Sequence, residues 1–186
     1  VITKSHILTA LTAHSPVDDT EAAFLAQLTT FVRQHEDPCS RSTLSGHITA
    51  AAWIIHKDTK AALLIHHRKL NRWLQPGGHI EPQDESLLAA SMREAIEETG
   101  ITTVTPLLTD ILDIDIHTIP ARGDVPEHLH YDVRFLLQST ELHTAHDTAE
   151  VNAASWLPLV DLCDNAQYDP SLVRLAQKSI SYLESE

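Results

Sequence analysis

One stretch constrains this chain more than any other: Gly77-Gly78-His79-Ile80-Glu81, followed twelve residues on by Arg93-Glu94-Ala95-Ile96-Glu97-Glu98-Thr99-Gly100-Ile101. It reads as a tight glycine turn, a short loop, and a helix that closes at a glycine. On that helix Glu94 and Glu98 stand one turn apart and Glu97 lies three residues from Glu94, so the three carboxylates share one face. Leu88, Met92, Ala95, Ile96 and Thr99 fall on the opposite side and give the helix a face to bury. Clustered carboxylates repel one another and destabilise a helix unless a hard divalent cation takes their oxygens as ligands. Taken alone, such a cluster is most often a solvated surface. Its neighbours in the chain decide.

Charge narrows the partners. The formal net charge is -13 over 186 residues, which argues against a broad footprint for a nucleic-acid polymer. A small anionic substrate then needs a local group of cations or a bound metal. Cys39 and Cys163 are far apart and match no zinc spacing, which fits reduced thiols in a cytoplasmic protein. No apolar run reaches membrane-spanning length, and the first residues lack the basic-then-apolar layout of a signal peptide. These features point to a cytoplasmic protein with neither membrane nor nucleic-acid partners.

The periodicity supplies the rest of the framework. Residues 4–14 and 21–35 have helical spacing, with Ile7, Leu8 and Leu11 in the first and Phe24, Leu25, Leu28, Phe31 and Val32 in the second. They are expected to form an N-terminal helical pair, residues 1–45, packed on a main domain of residues 46–186. Glu36 to Ser42 has the composition of a linker. Gly46 to Ile55 is a buried strand by pattern, and Ala61 to His67 completes a hairpin across Lys57-Asp58-Thr59-Lys60. Residues 101–117 are rich in β-branched side chains and are expected to bend or break around Pro106. Tyr131 to Leu137 alternates as a strand does, Ala153 to Leu157 is a short last strand, and Pro158 to Cys163 fits one helical turn. Pro170 to Leu183 is an amphipathic helix. A mixed sheet between helices, an α/β/α sandwich, fits this order.

Gly78, Glu85, Arg93-Glu94, Glu97-Glu98, Gly100 and Ile101 together resemble the Nudix box, G-x5-E-x7-R-E-U-x-E-E-x-G-U with U a bulky aliphatic. Pro76-Gly77-Gly78, Glu81-Pro82 and the later Trp156-Leu157-Pro158-Leu159 are also similar to the family. Six residues separate Gly78 from Glu85 where the usual pattern has five, so the loop carries a one-residue insertion at Gln83-Asp84. Ala95 stands where a larger aliphatic is usual. The resemblance implies a Nudix-type sandwich that hydrolyses a diphosphate linkage joined to another moiety, with Mg²⁺ or Mn²⁺. It implies Glu94 and Glu98 as metal ligands, Glu97 as a further ligand or as the base that orients water, and a backbone carbonyl of the Gly77-Gly78 pair, Gly78 above all, near the metal. Arg93 is expected to be structural, pairing with Glu85 or Glu97, and Gly100 to close the helix.

Outside the box, Arg68, Lys69 and Arg72 form the densest positive patch and are candidates for phosphate contacts, with a solvated hairpin loop as the competing reading. Glu81 and Glu150 are further candidates near substrate or metal. His128, His130 and Asp132 alternate along one strand, so they share a face, as a transition-metal site would need. Hydrogen-bonded or surface histidines are the common alternative. Trp53, Trp73 and Trp156 are expected in the core or in a pocket wall. The substrate class implied is a nucleoside diphosphate derivative: a nucleoside triphosphate, ADP-ribose or a sugar nucleotide. Two other functions share the fold. One is a nucleotide sensor that binds without cleaving, which has no need of a costly acidic cluster. The other is an isoprenoid diphosphate isomerase, which would need a reactive cysteine that neither Cys39 nor Cys163 supplies. The helical pair is expected to serve as a dimer contact or a pocket lid.

Overall fold

Eight strands and five helices make up the described part of the chain, which in this computed structural model comprises residues 2–145, 149, 151–163, 165 and 167–185. Two helices come first, α1 (Lys4–Ala13) and α2 (Asp19–Gln34). Each starts on a side-chain cap, Thr3 accepting from the His6 N–H and Asp18 from the Glu21 N–H. Strands β1 (Gly46–His56), β2 (Ala61–His67), β3 (Arg72–Leu74) and β4 (Gly77–His79) follow, then helix α3 (Leu87–Thr99). Strands β5 (Thr105–Pro106), β6 (Asp113–Ile119), β7 (His128–Gln138) and β8 (Val151–Pro158) lead to helices α4 (Leu159–Cys163) and α5 (Pro170–Ser185).

All the strands join one mixed sheet. Its path runs β3-β2-β1-β7-β5, with β4 also on β1, β6 on β7 and β8 on β2. The centre is β1, buried along its whole length and parallel to β7 from Gly46↔Leu129 to Ile55↔Gln138. Burial on both faces explains why β1 reads as a continuous apolar run rather than an alternation. Ile48, Ala52 and Ile54 face a core shared with Ile7, Leu11, Leu28, Phe31 and Val32 of the N-terminal helices and Leu87 and Ala95 of α3. Trp53 and Ile55 face Leu172, Leu175 and Ala176 of α5. The result is the expected α/β/α sandwich. Trp53 is fully buried, and its indole N–H is satisfied by Ser179 Oγ at 2.6 Å.

Several local expectations change. Gly77 and Gly78 do not form a turn; they lie on β4, paired with Ala51 and Ala50 of β1. The absence of side chains permits this, since a Cβ on Gly77 would sit 2.7 Å from Ala51 Cα. Residues 101–117 do break at Pro106, as expected: the two-residue β5 ends there and β6 starts only at Asp113, because Pro106 has no N–H to continue a ladder. Strand β8 runs through Pro158, and the helical turn expected from that residue begins at Leu159. Ile96 is 40 % exposed instead of buried; Leu87, Ala90, Ala95 and Thr99 carry the packed face of α3. No helix among the described residues is long and apolar enough to cross a membrane.

A buried carboxylate ties the N-terminal pair to the sheet and to α5. Glu21, fully buried in the first turn of α2, accepts hydrogen bonds from His14 Nε2 at 2.8 Å, Lys178 Nζ at 2.6 Å and the Val17 and Ile114 N–H groups at 2.8 and 3.2 Å. Burial opposes its ionisation, but the bonds from His14, Lys178 and Val17 outweigh it and hold the carboxyl down at about 2. A depressed pKa in the folded state means that the stabilisation is complete above the ordinary value of 4.5 and is lost as pH falls towards 2. Glu21→Gln should therefore cost about 3 kcal/mol at neutral pH. Urea denaturation across that acid range checks it: the variant should lose less stability than the parent on acidification.

Candidate active site

Helix α3 is capped at both ends. The Ser86 side chain accepts from the Ala89 N–H at the start. Gly100 ends the helix in the left-handed region, φ 70°, its N–H bonded to the Ile96 carbonyl at 2.9 Å. So anchored, α3 presents its acidic face to β4. Glu98, 5 % exposed, accepts the Gly77 N–H at 2.8 Å. Glu94 lies against Gly78 so closely that a Cβ there would be 2.6 Å from its Oε2. Two of the three carboxylates thus close on the glycine pair. Glu97 is turned outward, its side chain 58 % exposed.

Arg93 organises this region. Its guanidinium donates to both Asp84 oxygens at 3.0 Å, to Glu94 Oε1 at 2.9 Å, to Glu97 Oε2 at 3.1 Å and to the His79 carbonyl at 2.8 Å. The pairing with Glu97 matches the expectation, and the pairing with Glu85 does not occur. Asp84, buried, takes that place while Glu85 is exposed. With one residue more than the usual spacing, the loop carries two adjacent acids here, and Asp84 is the one that meets the guanidinium. Asp84 also accepts the Glu81 N–H at 2.7 Å. Burial works against its ionisation, and the Arg93 and Glu81 bonds hold its carboxyl below the usual range. The insertion itself was the available signal, since it leaves two adjacent acids for one position.

The Glu94 carboxyl is pushed up by burial, with Glu97 and Glu81 adding to the effect and Arg93 opposing it. Hard oxygen donors backed by a surplus of negative charge suit Mg²⁺ or Mn²⁺, which take few carboxylates and keep several waters. Glu94 fills the space beside Gly78 and Glu98 reaches the Gly77 N–H, so the donors gathered there are of the hard type such an ion takes, although the oxygens of Glu94, Glu97 and Glu98 are not all within 4.8 Å of one another. Glu81 is half-buried beside the open end of the loop, next to a cleft of about 920 Å³ lined by Lys4, Ile7, Arg41, Ile80 and Pro82 among others. Arg68 and Lys69 are exposed on the turn between β2 and β3, and Arg72 faces Asp169 at 4.0 Å rather than the carboxylates. Glu150 lies outside the described residues.

A second polar group occupies the other face of β1 and β4. His47, His79 and His130 bring ligand nitrogens within 4.8 Å of one another, as do the ligand atoms of His117, His130 and Asp132. His128, expected alongside His130 and Asp132, belongs to neither set; its Nδ1 meets the Pro126 carbonyl at 2.9 Å. His47 and His117 come from separate strands, β1 and β6, so no spacing along the chain reveals them. Burial pushes the imidazoles of His47 and His79 down to about 4 and that of His130 to about 3.

The fold has counterparts among known proteins. A NUDIX domain model matches residues 46–177. The chain belongs to the NUDIX family. Over 131 residues it is 30% identical to the m7GpppN-mRNA hydrolase NUDT17 of Danio rerio, covering 62% of this chain and 43% of that one. The Xenopus laevis protein of the same name is 34% identical over 95 residues, 47% of this chain and 31% of that one. The chain therefore spans less than half the length of the curated relatives it matches. Among solved structures, a NUDIX-family hydrolase from Clostridium perfringens superposes with a TM-score of 0.55 at 28% identity, covering 74% of this NUDIX chain and 97% of the other.

The reassigned ion pair is directly testable. Asp84→Asn should cost about 1–2 kcal/mol, because it removes one of the three carboxylates on the part-buried Arg93 guanidinium and leaves Glu94 and Glu97 in place. Glu85→Gln should stay within about 0.5 kcal/mol of the parent, as exposed substitutions do. Thermal or urea unfolding of the two variants distinguishes the assignments.

Proposed function

We propose that this chain hydrolyses a diphosphate linkage in a nucleoside diphosphate derivative, using Mg²⁺ or Mn²⁺. The observation that carries the reading is the closure of Glu94 and Glu98 from one helix face onto Gly77 and Gly78 of β4. Glu94, Glu98 and the Gly78 carbonyl would hold the metal, which when bound neutralises the diphosphate and polarises its phosphorus–oxygen bonds. Arg93 fixes Glu94 and Glu97 relative to the loop. Glu97, bonded to Arg93 and largely exposed, takes a proton from the attacking water. The water oxygen bonds to phosphorus as the bridging phosphorus–oxygen bond breaks, and the leaving phosphate departs with the bond's electron pair.

Nucleoside triphosphates, ADP-ribose and sugar nucleotides form the leading substrate class. The relatives named for m7GpppN-mRNA add cap-type dinucleotides, whose phosphate bridge is the same kind of linkage. With a net charge of -13 the chain favours the small substrate over a polymer footprint. Arg68 and Lys69, on the turn that leads into β3, are assigned to phosphate contacts, and Glu81 to the rim of the site. Residues 1–45 are read as an extension of a hydrolase domain at 46–186, with the linker lining the cleft beside Glu81. The chain is read as cytoplasmic.

A panel of nucleoside triphosphates, ADP-ribose, sugar nucleotides and m7GpppN tests the reading, each with Mg²⁺, with Mn²⁺ and with chelator. Turnover should require metal and fall at least about 100-fold in Glu98→Gln, with folding retained by circular dichroism. Unchanged turnover in that variant would sink the metal assignment. Tight metal-independent binding without turnover would identify a sensor instead.

A further inference from the structure

The histidine group on the far face of β4 is not used by this chemistry, and its geometry points to a second site. We propose that His47, His79 and His130 bind a divalent transition-metal ion of the zinc class through their imidazole nitrogens. Three strands contribute one ligand each: β1, β4 and β7. Their ring centroids are separated by 4.9 Å (His47–His79), 4.7 Å (His47–His130) and 5.2 Å (His79–His130). Three imidazoles on a tetrahedral ion, with metal–nitrogen bonds of about 2.0 Å, have centroids about 5 Å apart. The ligand nitrogens already lie within 4.8 Å of one another.

The second observation is an unsatisfied buried group. His47 is 3 % exposed, yet neither of its ring nitrogens has a hydrogen-bond partner. Buried polar atoms are rarely left so, and a metal ion would satisfy one of them. The alternative set is less free. Asp132 already receives Thr49 Oγ1 and Gln75 Nε2, and lies 3.6 Å from Arg134 and 3.7 Å from His117. Held there, Asp132 keeps a negative charge close to His79 and His130. A nitrogen site is also chemically distinct from the oxygen donors across the strand. An ion there would fasten β4, and with it Gly77 and Gly78, to β1 and β7.

The test uses the full chain purified without a histidine tag and stripped with chelator. Co²⁺ titration should give one equivalent of visible absorption from a low-coordinate nitrogen site, and Zn²⁺ should displace it and raise the Tm. Both effects should persist in Glu98→Gln and in His117→Asn. In His47→Gln and His79→Gln the affinity should fall at least about 10-fold. His79 is only half-buried, so its variant keeps the test decisive should His47→Gln fail to fold. Absence of the absorption in the parent chain would overturn the proposal. So would its retention in His79→Gln, or its loss in His117→Asn with His79→Gln unaffected, which would assign the ion to the His117, His130 and Asp132 group.

Discussion

The Arg93 guanidinium is the contact on which the candidate site depends. It is held by a buried carboxylate, Asp84, that belongs to the loop. In turn it holds the His79 carbonyl of β4 and the carboxylates of Glu94 and Glu97 on α3. Strand, loop and helix therefore meet at one positive charge. Without it, three glutamates within two helical turns would repel one another, and the loop would lose its tie through Asp84 to the helix. The surplus of negative charge that remains is what a hard cation would neutralise. It also explains why burial and like charges push the Glu94 carboxyl up despite the cation beside it.

Strand β1 divides the molecule into two chemistries. Ile48, Ala52 and Ile54 pack towards α3 and the N-terminal helices, and that apolar face fixes the position of the acidic helix. The opposite face is apolar only towards its end, at Trp53 and Ile55. Its beginning, at His47 and Thr49, joins a polar belt across β7 and β6. Asp113, Asp115 and Asp132 in that belt are balanced by Arg134, Arg174 and Lys178. Asp113 of the sheet is met by Arg174 and Lys178 of α5 as well as by Arg134, so the belt ties the sheet to α5 through several contacts at once. Glu21 extends the same network to α2, which makes the N-terminal pair part of the common core.

Much of this was legible in the chain itself. The helices from Lys4 and Glu21, the long buried strand at Gly46 and the carboxylate face at Glu94, Glu97 and Glu98 follow from spacing alone, because local periodicity carries them. What was not legible depends on tertiary neighbours. Gly77 and Gly78 look like a turn because glycine usually marks one, and only the presence of β1 alongside makes them a strand. Ile96 looks buried by type, yet the packed side of α3 is set by where β1 lies. Asp84 and Glu85 are adjacent acids separated only by the path of a loop. His47 and His117 are distant in sequence and meet His130 only once β1, β4, β6 and β7 are paired.

At the proposed centre, between the acidic face of α3 and the glycine pair of β4, water would attack a phosphorus–oxygen anhydride. The most direct measurement is turnover in ¹⁸O-labelled water with Mg²⁺, followed by mass spectrometry of the products. The account predicts one labelled oxygen in a phosphate group of one product, dependent on metal. Substrate recovered unlabelled and intact, bound with or without metal, would contradict it.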